Sequence, residues 1–238
     1  MGIPLNVTEW MKGHVGFGAT DYAAGEAQGR AESKAFQHEV LIQIEDIDRF
    51  VGDPKHVARM DGSVMWLGDK RSFTGGEFNM LVDTTNPKVK LMFYRIPFTD
   101  SAGKPLTMLG HKVLRDDPGL DMWEDITTLF IRIYEGHVAG HDFTRPSGDT
   151  PEWPPGQVAM GIIHISLRDG IASGLSFAAP GASRLQKVEA ITKFLEFYGK
   201  AALDLWVKES SGKRRALMTL AALAGVAVVG GVVALLLK

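Results

Sequence analysis

Short apolar segments, separated by turn residues, fill the chain from about residue 40 to residue 178, and this pattern restricts the fold most. Such segments are typical of strands in a packed sheet. Turn residues such as Asn86-Pro87 and Asp169-Gly170 lie where hairpin connections are needed. The predicted strands cover residues 40–44, 62–67, 77–82, 90–98, 106–113, 127–134, 158–167 and 171–178.

Eight strands at short spacing, without helical crossovers, predict a mainly β fold. We expect an antiparallel β-barrel of the up-and-down, lipocalin-like kind, closed or nearly closed, with a sandwich as the alternative. The barrel is assigned to residues 36–182. Residues 1–35 are assigned to an N-terminal extension with a short helix at 19–34. A long proline-containing loop is expected at 137–157.

An amphipathic helix is predicted for residues 183–208, after Pro180-Gly181. Ser183 and Gln186 have the spacing of a capping box at its start. We expect its apolar stripe to pack on the barrel, covering a mouth or a sheet, because charges of both signs on the other face argue against a membrane-surface helix. The stripe consists of Leu185, Val188, Ile191, Leu195, Tyr198, Ala202 and Leu205.

The segment from Ala216 to Leu237 is 22 residues long and carries no charge. A helix of this length spans about 33 Å, which matches the roughly 30 Å hydrocarbon core of a bilayer. The sequence therefore predicts one C-terminal transmembrane helix after a basic hinge at 209–215. Small residues four apart, Ala221 with Gly225 and Ala227 with Gly231, have the spacing of helix pairs and would allow a homo-oligomer through the anchor.

The flanks of this segment predict its orientation. Lys208, Lys213, Arg214 and Arg215 precede it, and a single lysine follows. The positive-inside rule then places the N-terminal domain in the cytoplasm. The start of the sequence lacks the basic and apolar regions of a signal peptide. We therefore expect a single-pass, tail-anchored membrane protein in contact with the lipid bilayer.

Composition excludes several functions. The formal net charge is −2, which argues against a nucleic-acid partner, since such proteins carry a basic surface. The sequence has no cysteine, which excludes disulfides, thiolate metal sites and a cysteine nucleophile. No dinucleotide loop, P-loop or nucleophile elbow is present either, so neither a cofactor nor a catalytic residue is assigned.

Two polar clusters contain residue types that bind metal ions. Five carboxylates lie between Asp116 and Asp125, and His137, His141 and Asp142 have spacing that a metal site on a helix could use. The first cluster contains Pro118-Gly119 and reads as a turn. Glycines on both sides of the histidines argue against a helix there. We therefore assign no metal site.

Aromatic and methionine residues on the predicted strands are the remaining candidates for a binding site. An eight-stranded barrel has room either for packed side chains or for one small ligand. Packing is the simpler interpretation, but an apolar cavity beside a membrane suits a lipid or a sterol. The candidate ligand-binding residues are Phe78, Met80, Met92, Tyr94, Phe98, Met108 and Phe130.

Several segments resemble an accessory region attached to some bacterial flavin-dependent oxidoreductases of the glucose-methanol-choline, cholesterol-oxidase-like type. They include IEDIDRF at 44–50, GGEFN at 75–79, and GHKV at 110–113 leading to DDPG at 116–119. The similarity covers roughly residues 10–180. It implies an association with sterol or lipid metabolism and an oxidoreductase partner. The flavin-binding fingerprint is absent, so no catalytic residue is carried over.

The sequence thus predicts a tail-anchored protein whose β-barrel binds an apolar ligand, a lipid or sterol, or a partner protein. One alternative is a lipid-modifying enzyme that uses the loop from Asp116 to Asp125 with His111 or His137 at a barrel mouth. A further alternative is a structural adaptor that self-associates at the membrane.

Overall fold

A computed structural model describes residues 2–115, 122–139 and 151–206, and within these ranges eight strands form a closed antiparallel barrel. Each strand pairs with its neighbours in sequence, and β8 pairs with β1. The predicted antiparallel barrel is confirmed. The strands are β1 (Leu5–Phe17), β2 (Ala35–Ile44), β3 (Val57–Trp66), β4 (Asp69–Asp83), β5 (Val89–Thr99), β6 (Pro105–Arg115), β7 (Thr128–Glu135) and β8 (Gln157–His164).

The assignment of residues 1–35 to an extension outside the barrel is wrong. Leu5–Phe17 forms β1, which pairs with β2 along its length and closes the barrel against β8 from Lys12 to Phe17. The pattern was hard to read because the inward-facing row contains Glu9 and Gly13 where a strand would normally carry apolar residues. The helix expected at 19–34 is present as α1 (Tyr22–Ala31).

The predicted strand at 171–178 is also wrong. Leu167–Leu175 is a helix, α4, whose N-cap Ser166 accepts a hydrogen bond from the Asp169 backbone N–H. The Asp169-Gly170 pair therefore lies inside a helix and not in a hairpin. Only Ala178 returns to the sheet, through a single bridge to Asn6. The barrel still has eight strands, because β1 takes the place of the strand predicted at 171–178.

Short helices occupy the other connections, and a long helix follows the barrel. They are α2 (Ile47–Gly52), α3 (Met122–Thr127) and α5 (Arg184–Trp206). Helix α1 lies directly on the backbone of β1 and β8. A Cβ on Gly25 would be 2.2 Å from the Met160 carbonyl oxygen, and one on Gly29 would be 2.3 Å from that of Val15. These two glycines therefore permit the close contact.

Helix α5 confirms the predicted capping box and much of the predicted packing. The Ser183 backbone N–H donates to Gln186 Oε1 at 2.8 Å, and the Gln186 N–H donates to Ser183 Oγ at 3.3 Å. Ile191 and Phe194 are buried against the barrel residues. The predicted packing is wrong for the first residue of the stripe, because Leu185 is 81% exposed.

Apolar side chains fill the interior of the barrel from all eight strands and continue to α5. A second, smaller cluster lies on the outer face of β4, β5 and β6, where Phe130 and Trp153 cover it. Its buried members are Val82, Val89, Leu91, Phe93 and Val113. The barrel is thus covered on part of its outside as well as packed within.

The predicted anchor from Ala216 to Leu237, with its small residues Ala221, Gly225, Ala227 and Gly231, lies outside the described residues. Within the described part of the chain, none of the helices has the length and apolar character needed to cross a bilayer. The anchor stays a prediction from the sequence.

Candidate functional site

A cavity of about 210 Å³ lies between one end of the barrel interior and the helices that cover it. Strands β1, β2, β4, β5 and β6 form its wall, while α4 and α5 contribute Ser173, Phe194 and Tyr198. Most of the lining is apolar. The remaining lining residues are Val7, Glu9, Ile42, Phe78, Met80, Met92, Tyr94, Lys112, Ile126, Thr127, Ile165, Gly170 and Phe177.

A buried ion pair forms the polar part of this wall. Lys112 Nζ on β6 donates a hydrogen bond to Glu9 Oε2 on β1 at 2.8 Å, and the Lys112 side chain is 1% exposed. The Tyr94 hydroxyl donates to the same oxygen at 3.3 Å, and Lys112 Nζ lies 5.3 Å from the centre of the Tyr94 ring. Strands on different sides of the barrel thus converge on one carboxylate.

Glu9 is held in its ionised form. Burial alone would raise the pKa of Glu9, but the attraction of the Lys112 ammonium and the neighbouring His38 ring outweighs it and lowers the pKa to about 2. The pKa of Tyr94 is raised well above its usual value, by burial first and by the Glu9 charge second. The site is therefore a carboxylate with hydroxyl and ammonium donors over the ordinary pH range.

Part of this polar group has no partner. Among the described residues, Glu9 Oε1 and the Ser173 hydroxyl are buried and make no hydrogen bond. His38 Nε2 lies 3.5 Å from Glu9 Oε1, a long polar contact that helps to lower the pKa of Glu9. The His38 ring stacks on Tyr94 with centroids 6.1 Å apart. Buried polar atoms normally have partners, so these two positions on the cavity wall are open to a hydrogen bond with a bound molecule.

Four of the seven residues predicted from sequence line this cavity: Phe78, Met80, Met92 and Tyr94. Phe98 and Met108 are buried in the same interior core but do not line the cavity. Phe98 packs edge-on against Phe36 and Trp66. Phe130 lies on the outer face, against Tyr22 and His111.

The polar members of the site were missed. Glu9 lies in the segment that is assigned from the sequence to the N-terminal extension, and Lys112 is included only in a segment that carries the family resemblance. A signal was available, because Lys112 stands at an inward position of β6, two residues from Gly110 and four from Met108. A lysine and a glutamate on inward faces predict a pair, since a single buried charge is strongly disfavoured.

His111 lies on the opposite face of β6 from Lys112 and is 2% exposed. Its ring packs against Tyr22, Phe130 and Trp153, with centroid distances of 5.8, 5.4 and 5.7 Å. Burial lowers its pKa to about 3, and the charge of Arg132 adds to the effect. His111 is thus a neutral packing residue outside the barrel, and it does not stand at the mouth where the enzyme hypothesis needed it.

The other predicted polar sites are only partly described. Asp116 and its neighbours to Asp121, together with His141 and Asp142, lie outside the described residues. Asp125 Oδ2 accepts a hydrogen bond from the Arg115 backbone N–H at 2.8 Å, and His137 is exposed. In the ranges that the structure describes, no three histidine or acidic side chains are grouped to hold a metal ion.

A larger groove of about 870 Å³ is open to solvent beside α2, on the outer face of β2 to β5. Two of its three arginines already have acidic neighbours: Arg59 lies 3.2 Å from Asp61, and Arg95 lies 3.6 Å from Glu77. Exposed pairs of this kind are common on protein surfaces and contribute little. The interior cavity, with its apolar wall and its buried ion pair, is therefore the better candidate site.

No protein-family model, curated protein or solved structure matches this chain.

Proposed function

We propose that this chain is a membrane-tethered binding protein whose barrel holds a small apolar molecule, such as a lipid-derived chain. The observation that carries the proposal is the interior cavity, whose wall is apolar except for the pair of Glu9 and Lys112. Ligand sites typically combine a mostly apolar concave surface with a few convergent polar groups. The role is binding, because the described polar groups form no nucleophile and base arrangement.

The size of the cavity limits the ligand. Its volume of about 210 Å³ exceeds the roughly 150 Å³ of a cavity that holds benzene and is below the roughly 300 Å³ of the smallest drug-sized sites. A molecule of about ten non-hydrogen atoms, or one end of a longer lipid, fits this space. A whole sterol needs α4 and α5 to move outwards.

The outer face of α4 supports access from a bilayer. Leu167, Ile171 and Leu175 follow one another at four-residue steps and are 66%, 55% and 58% exposed. The same helix contributes Gly170 and Ser173 to the cavity lining. The covering helix therefore has one side towards the cavity and an apolar stripe towards the surroundings, as an interfacial helix does.

The bilayer is the proposed neighbour of this stripe because of the apolar segment from Ala216 to Leu237. The described part of helix α5 extends to Trp206, and in this proposal the basic hinge at 209–215 joins it to that segment. In this proposal the segment spans the membrane and the barrel lies on the cytoplasmic side. An oxidoreductase that uses or supplies the bound molecule remains the proposed partner, on the sequence resemblance alone.

Two methionines on the cavity wall allow a direct test. The full chain, labelled with ¹³C at the methionine methyl groups and held in lipid nanodiscs, is titrated with octan-1-ol. We expect saturable shifts of the Met80 and Met92 methyl signals, assigned with M80L and M92L. The variant Val7→Phe fills the cavity and should lose these shifts, whereas Val57→Phe, at a 42% exposed position of β3, should keep them.

Overpacking at Val7 could unfold the protein, so the thermal unfolding of both variants is measured alongside. The proposal is supported if Val7→Phe stays folded and no longer binds. It is overturned if neither octan-1-ol nor any chain-matched analogue moves the Met80 and Met92 signals of the wild type.

A further inference from the structure

The buried polar atoms of the cavity specify the head group of its ligand. Resting on the proposed function, we infer that the bound molecule carries a neutral hydroxyl that donates a hydrogen bond to Glu9 and accepts one from a neighbouring donor. A primary or secondary alcohol with an apolar body is the chemical class that these contacts select.

The first argument is the unpaired oxygen of Glu9. Oε2 already accepts hydrogen bonds from Lys112 and Tyr94, whereas Oε1 has only a long contact of 3.5 Å with His38 Nε2 and accepts no hydrogen bond of ordinary geometry from the described residues. A buried acceptor without a donor loses its hydration and gains nothing in exchange. Since Glu9 lines the cavity, a donor on a bound molecule can supply the missing bond.

The second argument is the charge balance of the wall. Glu9 and Lys112 compensate each other at 2.8 Å, so the pair offers a carboxylate and an ammonium at once. A ligand carboxylate would be repelled by Glu9, and a ligand ammonium would be repelled by Lys112. A hydroxyl is both a donor and an acceptor and carries no charge, so it can approach both groups.

The third argument is the Ser173 hydroxyl, which is buried on the lining and makes no hydrogen bond of its own. Ser173 belongs to α4, the helix that covers the cavity. A ligand hydroxyl that bonds to Ser173 as well would connect the covering helix to the bound molecule. Ser173 thus adds a polar group from the covering helix to the largely apolar lining.

The test compares head groups on one chain length. The full chain in nanodiscs is titrated with octan-1-ol, its methyl ether, octanoate and octylamine, and the Met80 and Met92 methyl shifts give each affinity. The methyl ether keeps the acceptor but cannot donate. We expect octan-1-ol to bind at least tenfold more tightly than each of the other three. A hydrogen bond to a charged group such as the Glu9 carboxylate accounts for a difference of this size.

The double variant Glu9→Leu with Lys112→Met removes the polar anchor without leaving a single buried charge. In this variant the advantage of the alcohol over its ether should disappear, while the ether still binds. A double variant of an exposed ion pair, Lys104→Met with Glu135→Leu, should keep the advantage.

The outcomes separate the two proposals. If the ether, octanoate or octylamine binds as tightly as octan-1-ol, the cavity is a ligand site but the hydroxyl assignment is wrong. The assignment also fails if the advantage of the alcohol survives in the Glu9 and Lys112 double variant. If no probe moves the methyl signals, the proposed function itself fails, and the head-group assignment fails with it.

Discussion

His111 shows how one buried side chain makes the stability of the whole protein depend on pH. Its pKa in the folded state is about 3, mainly because burial disfavours the charged ring, against an ordinary value of 6.5. As the pH falls below 6.5, His111 is protonated in the unfolded chain but stays neutral in the folded chain. The contribution of His111 to stability is therefore present above pH 6.5 and is lost progressively towards pH 3, by at most about 5 kcal/mol.

His111→Phe should reduce this acid dependence by the His111 contribution, while His56, whose pKa is also lowered by burial, keeps its own. Phenylalanine fits among Tyr22, Phe130 and Trp153, and the variant cannot take up a proton at this position. Urea unfolding of the full chain in nanodiscs, followed by tryptophan fluorescence, gives the stability from pH 6.5 to 4.5. Over this window Glu9 contributes little loss, since its contribution falls mainly between pH 4.5 and about 2.

The matched control for this experiment is His164→Phe, at an exposed position of β8, which should keep the slope of the wild type. An unchanged slope in His111→Phe would contradict the assignment of the acid sensitivity to His111.

The ion pair of Glu9 and Lys112 gives a second prediction for single residues. Lys112→Met leaves the Glu9 carboxylate buried without its ammonium, and should cost about 3–5 kcal/mol in the free energy of unfolding. Adding Glu9→Leu should restore most of that loss, because the pair is then replaced by apolar side chains of similar size. Chemical unfolding curves measure both effects.

Lys104→Met is the comparison for this prediction, since its pair with Glu135 is about half exposed. We expect it to cost less than about 1 kcal/mol. If Lys112→Met and Lys104→Met are equally mild, Glu9 is not buried as described.

At the level of elements, the closure of the barrel depends on the pairing of β1 with β8. Gly13 and Gly161 lie at this seam, where the two backbones approach closely. A Cβ on Gly161 would be 2.0 Å from the His14 carbonyl oxygen, and one on Gly13 would be 2.1 Å from that of Ile162. No side chain fits there, so glycine is required by close approach.

Gly161→Ala should therefore weaken the seam, at a cost of about 2–4 kcal/mol in the free energy of unfolding. Hydrogen exchange should show the loss of protection in β1 and β8 before the other strands. Gly174→Ala in α4 is the control: nothing lies within 4 Å of its Cβ position, and alanine should stabilise the helix by about 0.5–1 kcal/mol. Equal effects of the two substitutions would show that the strands are not as close as described.

The same seam explains which elements the sequence could predict. Strands β2 to β8 carry runs of apolar residues that predict strands. The capping box of Ser183 and Gln186 predicts the start of α5. Strand β1 carries Glu9 and Gly13 on its inward face, and their partners, Lys112 and the β8 backbone, are more than a hundred residues away. A local pattern cannot contain such distant pairings, so the strand was not recognised.

For the whole molecule, the closed barrel and the helix on it followed from the sequence, but the position of the cavity did not. Inward apolar residues were correctly identified as a group, yet Phe98 and Met108 fill space while Met80 and Met92 border it. The difference arises where α4 and α5 cover the barrel end and meet the side chains of five strands. Packing of this kind depends on how side chains from several distant segments fill the space between them, so it cannot be predicted from the sequence of any one segment.

The proposed arrangement of the whole molecule on a bilayer gives the last prediction. Because the sequence has no cysteine, Ile171→Cys and Leu67→Cys each create one labelling site. Ile171 belongs to the exposed stripe of α4, and Leu67 lies at the other end of the barrel and is 44% exposed. A fluorophore at 171 should be quenched by spin-labelled lipids when the full chain is in vesicles, whereas one at 67 should not.

Detergent without spin label provides the reference intensity for both sites in this quenching experiment. Quenching at 171 alone would place the cavity cover against the lipid, so that an apolar molecule could pass from the bilayer into the barrel without crossing water. Equal quenching at both sites, or none at 171, would contradict this orientation. Failure of the full chain to sediment with vesicles would instead contradict the anchor from Ala216 to Leu237, because 22 uncharged residues in one helix should be retained by the hydrocarbon core.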